Sequence, residues 1–173
     1  MKLLARVLIL SIGIWVTPAV ASDFYMNFAG AQTIIDTGAG EVKPFIGAVK
    51  LGYEFAPNFA LEVQYGASFD DDDLNGQKYD VDTLGAAFFR ISSGGSYSDV
   101  RLYLLVGYSQ TELSINNESP TDDDKYDGFA YGIGAEEFLK SVKNLAFVAE
   151  FLRYYDRNEV SIDAITLGFR YKF

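Results

Sequence analysis

The stretch that decides the fold is Ile165-Thr166-Leu167-Gly168-Phe169-Arg170-Tyr171-Lys172-Phe173. Ile165, Leu167, Phe169, Tyr171 and Phe173 fall on one face, and Thr166, Gly168, Arg170 and Lys172 on the other. Strict period-two alternation of this kind marks a strand with one apolar and one polar side. The apolar face runs to the last residue, an aromatic, whereas the end of a soluble domain commonly frays. This predicts a strand end that is buried or lies against lipid.

The same alternation recurs upstream. With the closing stretch it makes eight segments of roughly ten residues, the length of a tilted membrane-spanning strand. The other seven are Phe24 to Ile34, Phe45 to Phe55, Phe59 to Phe69, Tyr79 to Ile91, Val100 to Thr111, Tyr126 to Phe138 and Leu145 to Tyr155. The third is the cleanest: Phe59, Leu61, Val63, Tyr65, Ala67 and Phe69 oppose Ala60, Glu62, Gln64, Gly66 and Ser68. In the fourth, Val81, Thr83, Gly85, Ala87, Phe89 and Ile91 oppose Asp82, Leu84, Ala86, Phe88 and Arg90. The pattern is weaker there, because Leu84 and Phe88 stand on the polar side. Turn chemistry separates the segments, as at Ala56-Pro57-Asn58 and in the Gly/Ser run 92–98.

The polar face is rich in Gly, Ala and Ser and carries single charges of both signs: Lys50, Glu54, Glu62, Arg90, Arg101, Glu136, Glu150 and Arg170. Small residues and complementary charges suit a narrow barrel interior filled by side chains. The expectation is that Glu54, Glu62, Glu136 and Glu150 pair with Lys50, Arg90, Arg101 and Arg170 and close the lumen. The long aliphatics of the other face suit lipid. Aromatics gather at strand ends, with Tyr53, Phe55, Phe59, Tyr171 and Phe173 towards one side and Phe45, Phe69, Tyr79, Tyr126 and Tyr155 towards the other. These are the two girdles a membrane barrel places at its interfaces. The reading is therefore an all-β, eight-stranded, antiparallel up-and-down transmembrane barrel.

Residues 1–21 read as a secretory signal. Lys2 and Arg6 form a positive start, Val7 to Val16 an apolar run, and Ala19-Val20-Ala21 an A-x-A cleavage site. The barrel domain is then 22–173, and losing Lys2 and Arg6 takes the formal charge from −10 to −12. So acidic a chain is not drawn to nucleic acid. The 173 residues contain no cysteine, which removes disulfides and thiolate metal sites, and no histidine, the commonest general base.

Asp71-Asp72-Asp73-Leu74-Asn75-Gly76 matches the start of a calcium-binding loop, and the twelfth position falls on Asp82. Alternate oxygen ligands (Asp71, Asp73, Asn75) and a turn glycine are what such a loop needs. Flanking helices are absent and the last ligand is Asp rather than Glu, so the competing reading is a solvated acidic loop. Calcium is the one cofactor the sequence raises, against the expectation of none. If the first strand begins on the periplasmic side, the acidic connectors 35–44, 70–78, 114–125 and 156–160 face outward.

At this point the chain resembles the small eight-stranded outer-membrane barrels of Gram-negative bacteria, such as the transmembrane domain of outer-membrane protein A and OmpX. The resemblance covers 22–173 and is most specific at Leu167, Phe169, Tyr171 and Phe173. These residues are similar to the family's carboxy-terminal signal for the barrel-assembly machinery. It implies location in the outer membrane after signal cleavage, contact with lipid and lipopolysaccharide, and no enzymatic activity, because the family's lipid A acyltransferase and deacylase use a histidine. The expectation is a chain without a peptidoglycan-binding domain after Phe173, which puts a cell-wall tethering role in doubt. The roles implied are envelope integrity or surface interaction, with a narrow channel or an adhesin for a host ligand as alternatives. A soluble lipid-binding barrel, with the Phe59/Leu61/Val63/Tyr65 face turned inward, is the rival at the level of the fold.

Overall fold

The structure, a computed structural model, describes residues 23–36, 40–70, 72–74, 77–93, 100–116, 122–157 and 160–173. Residues 1–21, read from sequence as a secretory signal and including Trp15, lie outside the described residues. Ten strands follow in order: β1 (Phe24–Asp36), β2 (Glu41–Val42), β3 (Phe45–Ala56), β4 (Phe59–Asp70), β5 (Asp72–Leu74), β6 (Gln77–Ser92), β7 (Val100–Asn116), β8 (Asp122–Phe138), β9 (Leu145–Arg157) and β10 (Val160–Lys172). Eight are long, and β2 and β5 are short additions that pair with β1 and β6.

The long strands pair antiparallel with their neighbours, and β10 closes on β1 from Tyr25↔Lys172 to Asp36↔Ser161. Closure removes the unpaired edges that a sheet would otherwise expose to lipid. Among the described residues no helix is long and apolar enough to cross a membrane.

Which face points out follows from burial. Phe28, Leu61, Val63, Tyr65, Leu102, Leu104, Ile133, Phe151, Ile165, Leu167 and Phe169 are exposed on the outer wall, Phe169 at 52%. Their neighbours Glu62, Gln64, Tyr103, Leu105, Glu150 and Arg170 are buried, Arg170 at 1%. An apolar outer wall of this extent has no stable place in water. It suits a bilayer, and the soluble barrel with its apolar face inward is set aside. Aromatic contacts band the end that bears the termini: Phe24 on Tyr53, Phe55 and Phe59 on Phe89, Tyr171 on Phe173.

Three local expectations change. Strands β6, β7 and β8 run on through the acidic stretches, so that Ser114 pairs with Asp123, Ile115 with Asp122 and Asp72 with Tyr79. Much of 70–78 and 114–125 is thus hairpin rather than loop, because main-chain pairing continues past the apolar belt. A β-bulge between Val81 and Thr83 reverses the side of two residues, leaving Val81 buried inside and Asp82 exposed outside. Tyr126 and Tyr155, expected in the outer girdle, are half-buried against the interior cluster and meet edge-on with ring centroids 5.3 Å apart.

At the other end Asn144 adopts φ 67° in the turn between β8 and β9, a left-handed conformation that asparagine tolerates better than most residues. Its carbonyl accepts the Lys172 N–H at 2.9 Å, tying this turn to the closing strand.

Candidate functional site: the sealed interior

Two layers fill the barrel. Towards the loop end, Ile35, Val42, Ile46, Val81, Leu84, Phe88, Leu105, Leu113, Val148, Leu152, Tyr154 and Ile162 form an apolar cluster. Sequence reading missed this layer. Leu84 and Phe88 on the polar side of β6 were its visible signal, together with Leu105 and Leu152 on the polar sides of β7 and β9.

Towards the end bearing the termini lies a chain of charges of alternating sign. Lys50 Nζ lies 2.7 Å from Glu150 and 3.5 Å from Glu62. Arg90 lies 3.2 Å from Glu62 and 2.9 Å from Glu136. Arg170 lies 2.5 Å from Glu136 and 3.0 Å from Glu54, and Lys172 also pairs with Glu54. The order is Glu150–Lys50–Glu62–Arg90–Glu136–Arg170–Glu54–Lys172, with four acids matched by four bases. Burying a charge is tolerated only when it is paired and hydrogen-bonded, and the alternation gives each interior member of this chain neighbours of opposite sign.

Each residue reaches the lumen because it occupies an inward position of its strand. Seven of the eight interior charges named from sequence come together in the chain. Arg101 does not: it stands over the Phe138 ring at 5.1 Å. Lys172, from the closing strand, is the fourth base. Its place was not visible in sequence because pairing with Glu54 depends on how far β10 is staggered against β1 and β3.

Two tyrosines pin the chain to the wall. The Tyr25 hydroxyl donates to Glu62, and the Tyr103 hydroxyl donates to Glu150 Oε1 at 2.8 Å. Arg170 stands over the Tyr25 ring at 4.2 Å and Arg90 over the Tyr103 ring at 3.6 Å, cation–π contacts made in a desolvated site. Above them Gln64 Nε2 donates to the Tyr154 hydroxyl at 2.7 Å, joining the charged layer to the apolar one.

The other sequence candidates lie elsewhere. Asp71 and Asn75 are outside the described residues. Asp73 is described only in its backbone, paired with Lys78, and Asp82 is displaced to the outer wall by the bulge. Among the described residues no cluster of three acidic side chains is placed to hold a metal. Leu167, Phe169, Tyr171 and Phe173 line the outer wall of β10, and the Phe173 N–H donates to the Phe24 carbonyl at 3.0 Å.

Outside the barrel wall, Arg153 forms a two-pronged pair with Asp163, at 2.7 and 2.8 Å, and meets Asp156 at 2.9 Å. Further along the hairpins, Lys125 meets Glu112 at 2.7 Å.

Comparisons with known proteins agree with this architecture. Neisserial surface protein A superposes with a TM-score of 0.72 at 17% identity, over 87% of this chain and 97% of that one. The amino-terminal barrel of OprF from Pseudomonas aeruginosa gives 0.67 at 14%, over 88% and 98%. Ail, the attachment invasion locus protein of Yersinia pestis, solved with the heparin analogue sucrose octasulfate, gives 0.65 at 15%, over 87% and 98%. At these identities the likeness establishes the fold. Comparison with curated proteins returned no match. The model of the outer membrane protein beta-barrel domain matches residues 7–173, nearly the whole chain, and the chain belongs to that family.

Proposed function

We propose that this protein is a non-enzymatic outer-membrane barrel that works through its outer surface and its stability in the envelope, not through its lumen. The observation that carries this reading is the interior. A continuous chain of ion pairs fills one half of the barrel and an apolar cluster the other. Eight strands leave an interior only wide enough for side chains, so a solute would have to displace buried, paired charges.

Planar-bilayer recording of the purified protein is the test. Only brief, small events are expected, and a large, stable conductance would reverse the reading in favour of a channel.

A surface-interaction role draws support from the extended β5–β6 and β7–β8 hairpins, whose tips carry Asp72, Asp73, Asp122, Asp123 and Asp124. An acidic tip repels a polysulfated ligand such as the sucrose octasulfate solved with Ail. If this chain meets a host ligand, a basic protein surface fits the tip better. Cell binding compared before and after replacement of 70–78 and 114–125 tests this, and unchanged binding would locate any contact elsewhere.

A further inference from the structure

We propose that the polar layer around Lys50 is a site for one monovalent cation, and that the Lys50 ammonium is its tethered occupant. The interior carries an internal repeat. Tyr25 faces Gly52 across the sheet, and Gly52 faces Glu62; Tyr103 faces Gly134, and Gly134 faces Glu150.

In both sets the glycine seats the tyrosine ring: an added Cβ would fall 2.0 Å from Tyr25 Cζ at Gly52 and 2.3 Å from Tyr103 Cζ at Gly134. Each tyrosine hydroxyl donates to the glutamate of its own set. An arginine two residues before each tyrosine's partner on the preceding strand covers the ring, Arg170 before Lys172 and Arg90 before Ser92. Strands β10, β1, β3 and β4 thus repeat the module of β6 to β9.

Around this shared module the two sets differ at Lys50. Lys50 precedes Gly52 by two residues, and its counterpart before Gly134 is Gly132. A Cβ there would lie 2.5 Å from the Phe151 carbonyl oxygen and 2.6 Å from Leu152 Cδ2, so no second lysine fits. One ammonium therefore serves two equivalent carboxylates, 2.7 and 2.8 Å from the Glu150 oxygens and 3.5 Å from Glu62.

Its cross-strand neighbours are Asn27 and Gln64, and Thr166 faces Glu150. Asn27 Oδ1, Gln64 Oε1 and Thr166 Oγ1 are buried with no hydrogen-bond partner among the described residues. Buried oxygens without donors, beside a carboxylate, are groups that a dehydrated monovalent cation can satisfy. The charge count agrees: Arg90 offsets Glu62, so removing Lys50 leaves Glu150 as one uncompensated negative charge.

The test is Lys50→Ala in the full barrel, refolded in detergent and unfolded thermally in ammonium, potassium or tetramethylammonium chloride at equal ionic strength. The wild type is expected to be indifferent to the cation. In Lys50→Ala the midpoint should rise with ammonium or potassium concentration, as mass action requires of a ligand that binds only the folded state. It should not rise with tetramethylammonium, which is too large. Adding Glu150→Gln to Lys50→Ala should abolish the dependence. Equal midpoints for Lys50→Ala in all three salts, failure of that variant to fold in any of them, or a dependence that survives Glu150→Gln would each overturn the proposal.

Discussion

Replacing Arg170 by methionine tests the interior network at its most buried cation. The guanidinium is 1% exposed, lies 2.5 Å from Glu136 and 3.0 Å from Glu54, and covers the Tyr25 ring at 4.2 Å. Methionine keeps most of the volume and removes the charge. Glu136 would keep Arg90 at 2.9 Å and Glu54 would keep Lys172, but the chain would hold four acids against three bases.

Breaking a buried pair from one side costs about 3–5 kcal/mol, because the remaining charge is left in a poorly solvating interior. The exposed Lys125–Glu112 pair supplies the contrast: Lys125→Ala should cost no more than about 1 kcal/mol. The assay is reversible urea unfolding of detergent- or vesicle-refolded protein, followed by tyrosine fluorescence and circular dichroism. Refolding in vitro separates stability from any effect of β10 on assembly in cells. Arg170→Met with Glu136→Gln should recover part of the loss, and the double-mutant cycle isolates the coupling. A single variant within about 1 kcal/mol of wild type would refute the reasoning, since it would place these charges in a hydrated lumen.

Three other outcomes are expected. Deleting Phe173 should reduce folded barrel in the outer membrane of cells while leaving detergent refolding nearly unchanged; normal assembly in cells would remove the signal role of Leu167, Phe169, Tyr171 and Phe173. Gly134→Ala should cost about 1–3 kcal/mol in urea unfolding because the new methyl displaces the Tyr103 ring, whereas at Gly85 the nearest atom to an added Cβ is 4.0 Å away and alanine should be nearly neutral. Calorimetric titration with calcium should give no site-specific heat at millimolar levels, because the bulge turns Asp82 outward; a stoichiometric isotherm would restore the 71–82 loop as a site.

The faces of the strands were legible because period-two alternation is a local property. Leu167, Phe169 and Tyr171 share a side wherever β10 lies, and so do Arg170 and Glu150 with the lumen. What was hidden depends on contacts distant in sequence. The bulge at Val81–Thr83 shifts the phase by one residue, and nothing in Val81-Asp82-Thr83 announces it. Asp122 to Lys125 read as loop because charge suggests a solvated connector, yet main-chain pairing with β7 continues through them. The apolar half of the interior was obscured because both sides of β6 and β9 are apolar there, which erases the alternation. The choice of Lys172 over Arg101 as partner of Glu54 is set by barrel stagger, which no single strand encodes.

The central claim is that the apolar face meets lipid while the opposite face seals the lumen. Residues 22–173 contain no tryptophan, so one introduced tryptophan reports its own surroundings. The direct measurement is quenching of tryptophan fluorescence by brominated acyl chains for two variants in vesicles, Phe169→Trp on the outer wall and Phe88→Trp in the interior, where Phe88 is 2% exposed. Strong quenching of the first and little of the second is the predicted result. Equal quenching, or the reverse order, would contradict the account.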